Sequence, residues 1–298
     1  MAGNEYLWQD YLEQFTYFTE DMLRAGCYPR KMMHTRATAD SVVLIHGLSD
    51  SPAVMMDLAR HYHENMGCNV YLPLLQGHGL KEPDGMRGVC LKAWKENVHF
   101  AITAAAADAK RLSIGGLSTG GALALYFACL DARINHKVYL FSAALGLYKG
   151  WLGSLKEIFL RSPFCLLLAA VKLNLIGPNP YRYSYVPFNS ARELAKLLPE
   201  INALRSGARP SYIREREIFN AWSESDNVID TSILAQLADM ASPSGFTSFT
   251  IDKKHRVAHA SVVLKHSIYA ARGQTVGRRL LEKANPLFDT MVAEMGRN

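Results

Sequence analysis

Ser118 stands at the centre of Gly116-Leu117-Ser118-Thr119-Gly120, and a serine in a G-x-S-x-G pattern is a candidate nucleophile for attack on a carbonyl carbon. The pattern is weak by itself, because chance places it in roughly one chain in ten of this length. The chemistry also demands position. A strand must run into the serine and a helix must leave it, so that a sharp turn presents the hydroxyl at the carboxyl edge of a sheet. Arg111 to Gly115 reads as that strand and Thr119 to Cys129 as that helix. The flanking glycines permit a strained turn and a close approach of helix to strand. In an ordinary strand-to-helix turn the same hydroxyl would simply cap the helix.

Attack on a carbonyl develops negative charge on its oxygen, which two preorganised backbone N–H groups can hold. The residue after the nucleophile, Thr119, is placed to supply one. The other is expected from the loop after the strand Ser41 to His46, at Leu48, where Gly47 gives the backbone room to turn. His46 lies upstream of Ser118 and reads as a residue that shapes this loop, not as a base.

The elements that must position these groups alternate along the chain. Strands are expected at Ser41–His46, Asn69–Leu72, Arg111–Gly115, Lys137–Phe141, Glu217–Ala221 and Ser248–Ile251. Helices are expected at Ser51–Asn65, Leu91–Ala107, Thr119–Cys129, Thr231–Met240 and Gln274–Ala293, the last broken or kinked by Pro286. Tyr6–Arg24 reads as an amphipathic helix. This is an α/β pattern with a parallel sheet covered on both faces. The alternation stops from Gly146 to about Arg214, too long a stretch for a structureless loop. Helix-like pieces there (Leu152–Arg161, Pro163–Leu175, Ser190–Leu198) surround a Pro- and Tyr-rich segment, Pro178–Pro187. The expected organisation is a core of residues 1–145 and 214–298 with a helical cap at 146–213.

Composition excludes other classes. With 49% hydrophobic and 20% charged residues the chain has the makings of a packed globule, not a disordered one. The net charge of +6 comes from Lys and Arg scattered among acids (Lys92, Lys95 and Glu96; Arg192 and Glu193), unlike the clustered stripe that binds nucleic acid. Five cysteines, an odd number without short spacing, argue against a disulfide framework and a thiolate zinc site. The polar, acidic Met1–Asp10 is unlike a signal peptide, and the best apolar run, Phe164–Val171, is far short of a membrane span. The expected location is therefore the cytoplasm.

His46-Gly47-Leu48, then Gly77-His78-Gly79 after a strand, then Trp94, then Gly116-Leu117-Ser118-Thr119-Gly120-Gly121, together resemble the monoglyceride-lipase, lysophospholipase and carboxylesterase branch of the α/β-hydrolases. The resemblance spans most of the chain beyond the first thirty residues and is weakest over the cap. It implies an eight-stranded, mostly parallel sheet flanked by helices, an inserted helical cap, no cofactor, and hydrolysis of acyl esters. His78 is implied to be loop scaffolding.

In that fold the acid and then the histidine follow the serine along the chain. Asp226, in the loop after Glu217–Trp222, is the expected acid. Asp230 is the alternative, although it also suits the cap of the helix at Thr231; Glu224 lies early. Two histidines follow the last strand. Distance from the strand favours His255. The small neighbours of His259 favour the latter, and Lys253, Lys254 and Arg256 would oppose an imidazolium at His255. The expected set is Ser118, Asp226 and His259, with His255 the alternative base and His266 too far into the next element. Such a set would cleave monoacylglycerol or short- to medium-chain esters through an acyl-enzyme. Trp151, Phe159, Phe164 and Leu166–Leu168 could line an acyl site or form the cap's own core. Thioesterase, amidase or acyltransferase chemistry is the alternative, and an inactive binding protein on this fold a third reading. The expected partner is a small or lipid-like ester, without nucleic acid, metal or stable membrane insertion; either a monomer or a homodimer is compatible.

Overall fold

A computed structural model describes residues 6–82, 85–146, 172–174 (backbone), 179–207, 211–239, 245–270 and 279–297. Eleven strands occur among them: β1 (Arg30–Met32), β2 (Asp40–Ile45), β3 (Asn69–Leu72), β4 (Arg111–Leu117), β5 (Lys137–Phe141), β6 (Lys172–Asn174), β7 (Tyr185–Pro187), β8 (Glu217–Ser223), β9 (Phe246–Ile251), β10 (Ile268–Tyr269) and β11 (Leu280–Glu282). Seven form the central sheet, in the order β1-β3-β2-β4-β5-β8-β9, parallel throughout except for β1. Its strands alternate between two cores. Val43 and Ile45 of β2 enter one, Val42 and Leu44 the other, and all four are fully buried, which is why β2 reads as an unbroken apolar run.

Seven α-helices occur among the described residues: α1 (Gln9–Gln14), α2 (Met56–Arg60), α3 (Leu91–Ala107), α4 (Thr119–Leu130), α5 (Phe188–Arg205), α6 (Ser232–Ala235) and α7 (Phe288–Met295). After β3 the chain crosses β2 to place β4 on its other side. This reversal puts a crevice at the carboxyl edge between β2 and β4, where ligands bind in open α/β sheets.

All six expected strands are present. The expected helix Ser51–Asn65 is helical nearly throughout, as a 3₁₀ turn (Pro52–Met55), α2 and a π turn (His61–Asn65). Thr231–Met240 becomes α6 and a 3₁₀ turn at Gln236–Asp239. Three expectations fail. Tyr6–Arg24 is not one helix: α1 stops before Phe15, because Phe15-Thr16-Tyr17-Phe18-Thr19 are residues that lose side-chain freedom in a helix. The chain turns there and buries Trp8, Tyr11, Phe15 and Phe18 in one aromatic cluster. Gln274–Ala293 is not one helix either. Leu280–Glu282 pairs with β10, and α7 begins only after Asn285, whose carboxamide accepts the Leu287 N–H, and Pro286, which disfavours helix before it. In the span Pro163–Leu175, Lys172–Asn174 is a strand, satisfied by pairing with β7, not the end of a helix. The remainder of that span, and Leu152–Arg161, lie outside the described residues.

Among the described residues the sheet has seven strands where eight are implied. The missing edge position is reduced to one antiparallel bridge, Leu7 to Arg30, because the chain enters α1 immediately afterwards. Ser190–Leu198 falls within α5, whose Leu194, Leu197, Ile201 and Leu204 join the core that holds α3 and α4. Lys95 clamps this packing, 2.8 Å from Glu200.

Candidate active site

β4 runs straight into Ser118, which adopts φ 55° and ψ −115°, a left-handed conformation that side chains rarely occupy. The strain is held from several directions. Ser118 N–H donates to Phe141 O (2.9 Å), and its carbonyl accepts from Ala122 N (3.0 Å) and Ala144 N (3.0 Å). Two glycines make the turn possible. A Cβ on Gly116 would lie 2.3 Å from the Gly120 carbonyl carbon, and one on Gly120 would lie 2.1 Å from Ile45 O. The Ser118 side chain makes no bond that caps α4, so the capping role open to a serine at such a turn is not taken.

The loop after β2 lies beside this turn: a Cβ on Gly47 would be 3.4 Å from Ser118 Cβ. Two buried histidines fix it. His46 Nε2 accepts the Leu75 N–H (3.1 Å), so its proton resides on Nδ1 and is donated to Gly47 O (2.9 Å). That bond anchors the peptide whose other end is Leu48 N–H, and among the described residues this N–H meets no acceptor. His78 Nε2 lies 2.6 Å from Leu48 O and its Nδ1 3.0 Å from Gln76 O; the shorter contact assigns the ring proton to Nε2. Burial pushes both imidazoles down in pKa, and at His46 the neighbouring His78 adds to the effect. Neutral and locked, they are scaffold for the Leu48 peptide, as the sequence implies.

The loop after β8 carries Asp226, 4% exposed. Its Oδ1 accepts Val228 N–H (2.9 Å) and its Oδ2 lies 2.6 Å from His259 Nδ1. Burial works to raise the Asp226 carboxyl, but the hydrogen bond and charge of His259 and the Val228 amide outweigh it and hold it below the usual carboxylate range. An ionised Asp226 can only accept, so Nδ1 of His259 carries a proton, and in the neutral form of the ring the lone pair lies on Nε2. That Nε2 is buried and has no partner among the described residues. Hydrogen bonds link these loops along the sheet edge: Ala144 N to Ser118 O, Ser142 N to Ala221 O (2.8 Å) and Asp230 N to Gly146 O (3.0 Å).

The other candidates are engaged elsewhere. Asp230 Oδ1 accepts both the N–H (3.0 Å) and the hydroxyl (2.6 Å) of Ser232, opening α6. Glu224 accepts Lys253 N–H. His255 ends a 3₁₀ turn and bonds to neither Asp226 nor Asp230, while His266 pairs with Asp57 (3.0 Å). Among the described residues no cluster of His, Cys, Asp or Glu is arranged to hold a metal ion, and no helix is long and apolar enough to cross a membrane. Cys27, Cys68 and Cys129 are buried free thiols and Cys90 an exposed one; Cys165, Trp151, Phe159, Phe164 and Leu166–Leu168 lie outside the described residues. Sequence reasoning missed the buried charges Asp50, Arg182 and Glu282, which no local motif marks.

The chain superposes on a structure from the metagenome-derived lipolytic enzymes LipS and LipT with TM-score 0.62 at 20% identity, covering 81% of this chain and 92% of that one. A soluble variant of monoglyceride lipase from Saccharomyces cerevisiae, in complex with a substrate analogue, gives 0.63 at 13% identity, covering 90% and 89%. DcsB in complex with its substrate analogue gives 0.56 at 14%, covering 91% and 94%. At these identities the likeness establishes the fold. No curated protein matches the sequence. The sequence profile of the alpha/beta hydrolase family matches residues 42–280, four-fifths of the chain and every strand of the central sheet but one, and the protein therefore belongs to the alpha/beta hydrolase family.

Proposed function

We propose that the protein is a serine hydrolase of carboxylic esters, acting on monoacylglycerols or short- to medium-chain esters through an acyl-enzyme on Ser118. The observation that carries this reading is the 2.6 Å His259–Asp226 pair, with its free Nε2 lone pair, joined by the edge hydrogen bonds to a serine in a strained left-handed turn. In the first step His259 Nε2 takes the Ser118 proton as Oγ bonds to the acyl carbon, and Asp226 supports the imidazolium so formed. The N–H groups of Leu48 and Thr119 hold the oxyanion. His259 then gives its proton to the departing alcohol, and water, activated by the same imidazole, cleaves the acyl-enzyme. Residues 146–213 would form the cap over this site. Here α5 brings Phe188 and Ala191, with Val186 of β7, against Leu48, an apolar wall beside the oxyanion position.

A chain-length series of p-nitrophenyl esters and their thioester counterparts tests the reading, with Ser118→Ala as control and a fluorophosphonate probe as active-site label. Labelling of the wild type that disappears in Ser118→Ala, together with a preference for oxygen esters, is expected. Full activity in Ser118→Ala would sink the mechanism.

A further inference from the structure

The segment Asn179–Tyr183 is sewn onto the edge of the sheet that holds Ser118. Tyr183 N–H donates to Ser49 O (2.8 Å), Ser51 Oγ to Tyr181 O (2.8 Å) and an Arg24 guanidinium N–H to Arg182 O (3.0 Å). The Tyr183 hydroxyl donates to Gly77 O (3.0 Å) and accepts the Leu80 N–H (3.2 Å). With its backbone so fixed, Arg182 turns inward and is 2% exposed. Its Nε lies 3.1 Å from Asp50 Oδ1 and a terminal nitrogen 3.0 Å from Glu282 Oε2, ion-pair contacts in which neither N–H is aimed closely enough at its oxygen to be a hydrogen bond.

These two carboxylates belong to different parts of the site. Asp50 lies in the loop of Leu48, and its Oδ2 is 2.5 Å from where a Cβ on Gly47 would be; Ser118 Cβ is 3.4 Å from that same point. Glu282 of β11 accepts the hydroxyl of Ser261 (3.3 Å), two residues beyond His259, and the Asn179 carboxamide N–H (3.3 Å). Burial raises the Glu282 carboxyl and Arg182 opposes that rise. Buried ion pairs are weak stabilisers, often matched by apolar residues of similar size, so stability alone does not account for three charges here. What a guanidinium offers is a permanent, delocalised charge on a planar group wide enough to reach two carboxylates at once.

We propose that Arg182 is a positioning residue for the ester hydrolysis: it ties the loop of Leu48 to the hairpin behind His259 and so fixes the oxyanion amide relative to the base. The inference rests on the Ser118–His259 reading above. A displacement of about 1 Å in such a site costs up to about 100-fold in rate, so the loss belongs in kcat.

The test is steady-state kinetics on one p-nitrophenyl ester, with fluorophosphonate labelling rates and thermal unfolding, for wild type, Arg182→Met, Arg182→Lys, Asp50→Asn, Glu282→Gln and the triple Asp50→Asn/Arg182→Met/Glu282→Gln. Arg182→Met should lower kcat and the labelling rate at least about tenfold, with KM within about threefold. Lys, a single point charge, should recover only part of the loss. The two carboxylate variants should each reproduce it in part, and they keep the test decisive should Arg182→Met not fold. The triple variant should regain thermal stability without regaining kcat. Unchanged kcat in Arg182→Met, a rise in KM alone, or full recovery of kcat in the triple variant would each overturn the proposal. A wild type that fails to label at Ser118 would instead overturn the reading on which it rests.

Discussion

Both ends of β4 carry a serine next to a histidine-bearing loop, and only the carboxyl end has the arrangement that the proposed mechanism requires. At the amino end Ser113 Oγ lies 3.1 Å from His136 Nδ1, beside a cleft of about 550 Å³ lined by Asp40, Arg111, Lys137 and Cys68. By a simple criterion this is the better serine–histidine contact. But Ser113 sits in regular strand, paired with Val42, and its hydroxyl also accepts Lys137 N–H (3.3 Å). Of the two carboxylates that act on His136, Asp40 is bound bidentately by Arg111 (2.5 and 2.6 Å) and Glu217 pairs with Lys137 (3.0 Å), so neither is bonded to the imidazole. Burial, then the Arg111 and Lys137 cations, push the His136 pKa down and oppose the imidazolium that catalysis would form. At the carboxyl end the turn is strained, the carboxylate grips the histidine, and the far ring nitrogen is free. The contrast teaches that a serine–histidine hydrogen bond is not by itself sufficient evidence of a nucleophile. The acid, the strained turn and the neighbouring amides carry the information.

The sharpest way to break this contrast is to remove each serine. Ser118→Ala should lose at least about 10³-fold in kcat on a p-nitrophenyl ester, whereas Ser113→Ala should stay within about twofold, as distant substitutions do. The histidines come next. His259→Ala should cost about 10³-fold or more, while His136→Ala and His255→Ala each remain within about threefold; a large loss in His255→Ala would reverse the assignment of the base.

Asp226→Asn should reduce kcat by roughly 10²- to 10⁴-fold through the wrong imidazole tautomer. It also tests the electrostatics. A carboxyl held below its usual range contributes stability that is present above about pH 4 and is lost as pH falls through its folded value. The stability difference between wild type and Asp226→Asn, followed by urea unfolding, should therefore be constant near neutrality and shrink below about pH 4. The smallest effects concern the backbone. Gly120→Ala forces a methyl onto Ile45 O and should cost at least about 1–3 kcal/mol. Gly88→Ala, with nothing within 4 Å of its Cβ position, should stay within about 0.5 kcal/mol in the same unfolding series.

Much of the sheet was legible because its strands are buried on both faces and advertise this locally, as in Ser41-Val42-Val43-Leu44-Ile45. The failures came where local pattern and tertiary demand diverge. Tyr6–Arg24 has helical periodicity, but its aromatic residues are buried by turning the chain. Leu280-Leu281-Glu282 follows a helical pattern, but Glu282 is drawn inward to Arg182 and the segment pairs with β10.

By itself the sequence determined the α/β class, the strand-to-helix context of Ser118 and the His46-Gly47-Leu48 loop, since each is a property of consecutive residues. Only the tertiary structure decided which histidine meets which carboxylate. Asp226 and His259 are 33 positions apart: local neighbours favour His259 over His255, but only folding brings its ring to the carboxylate. The Asp50–Arg182–Glu282 bridge is beyond local pattern for the same reason. Its members come from three distant segments, and a buried charge is recognised by the partner that compensates it.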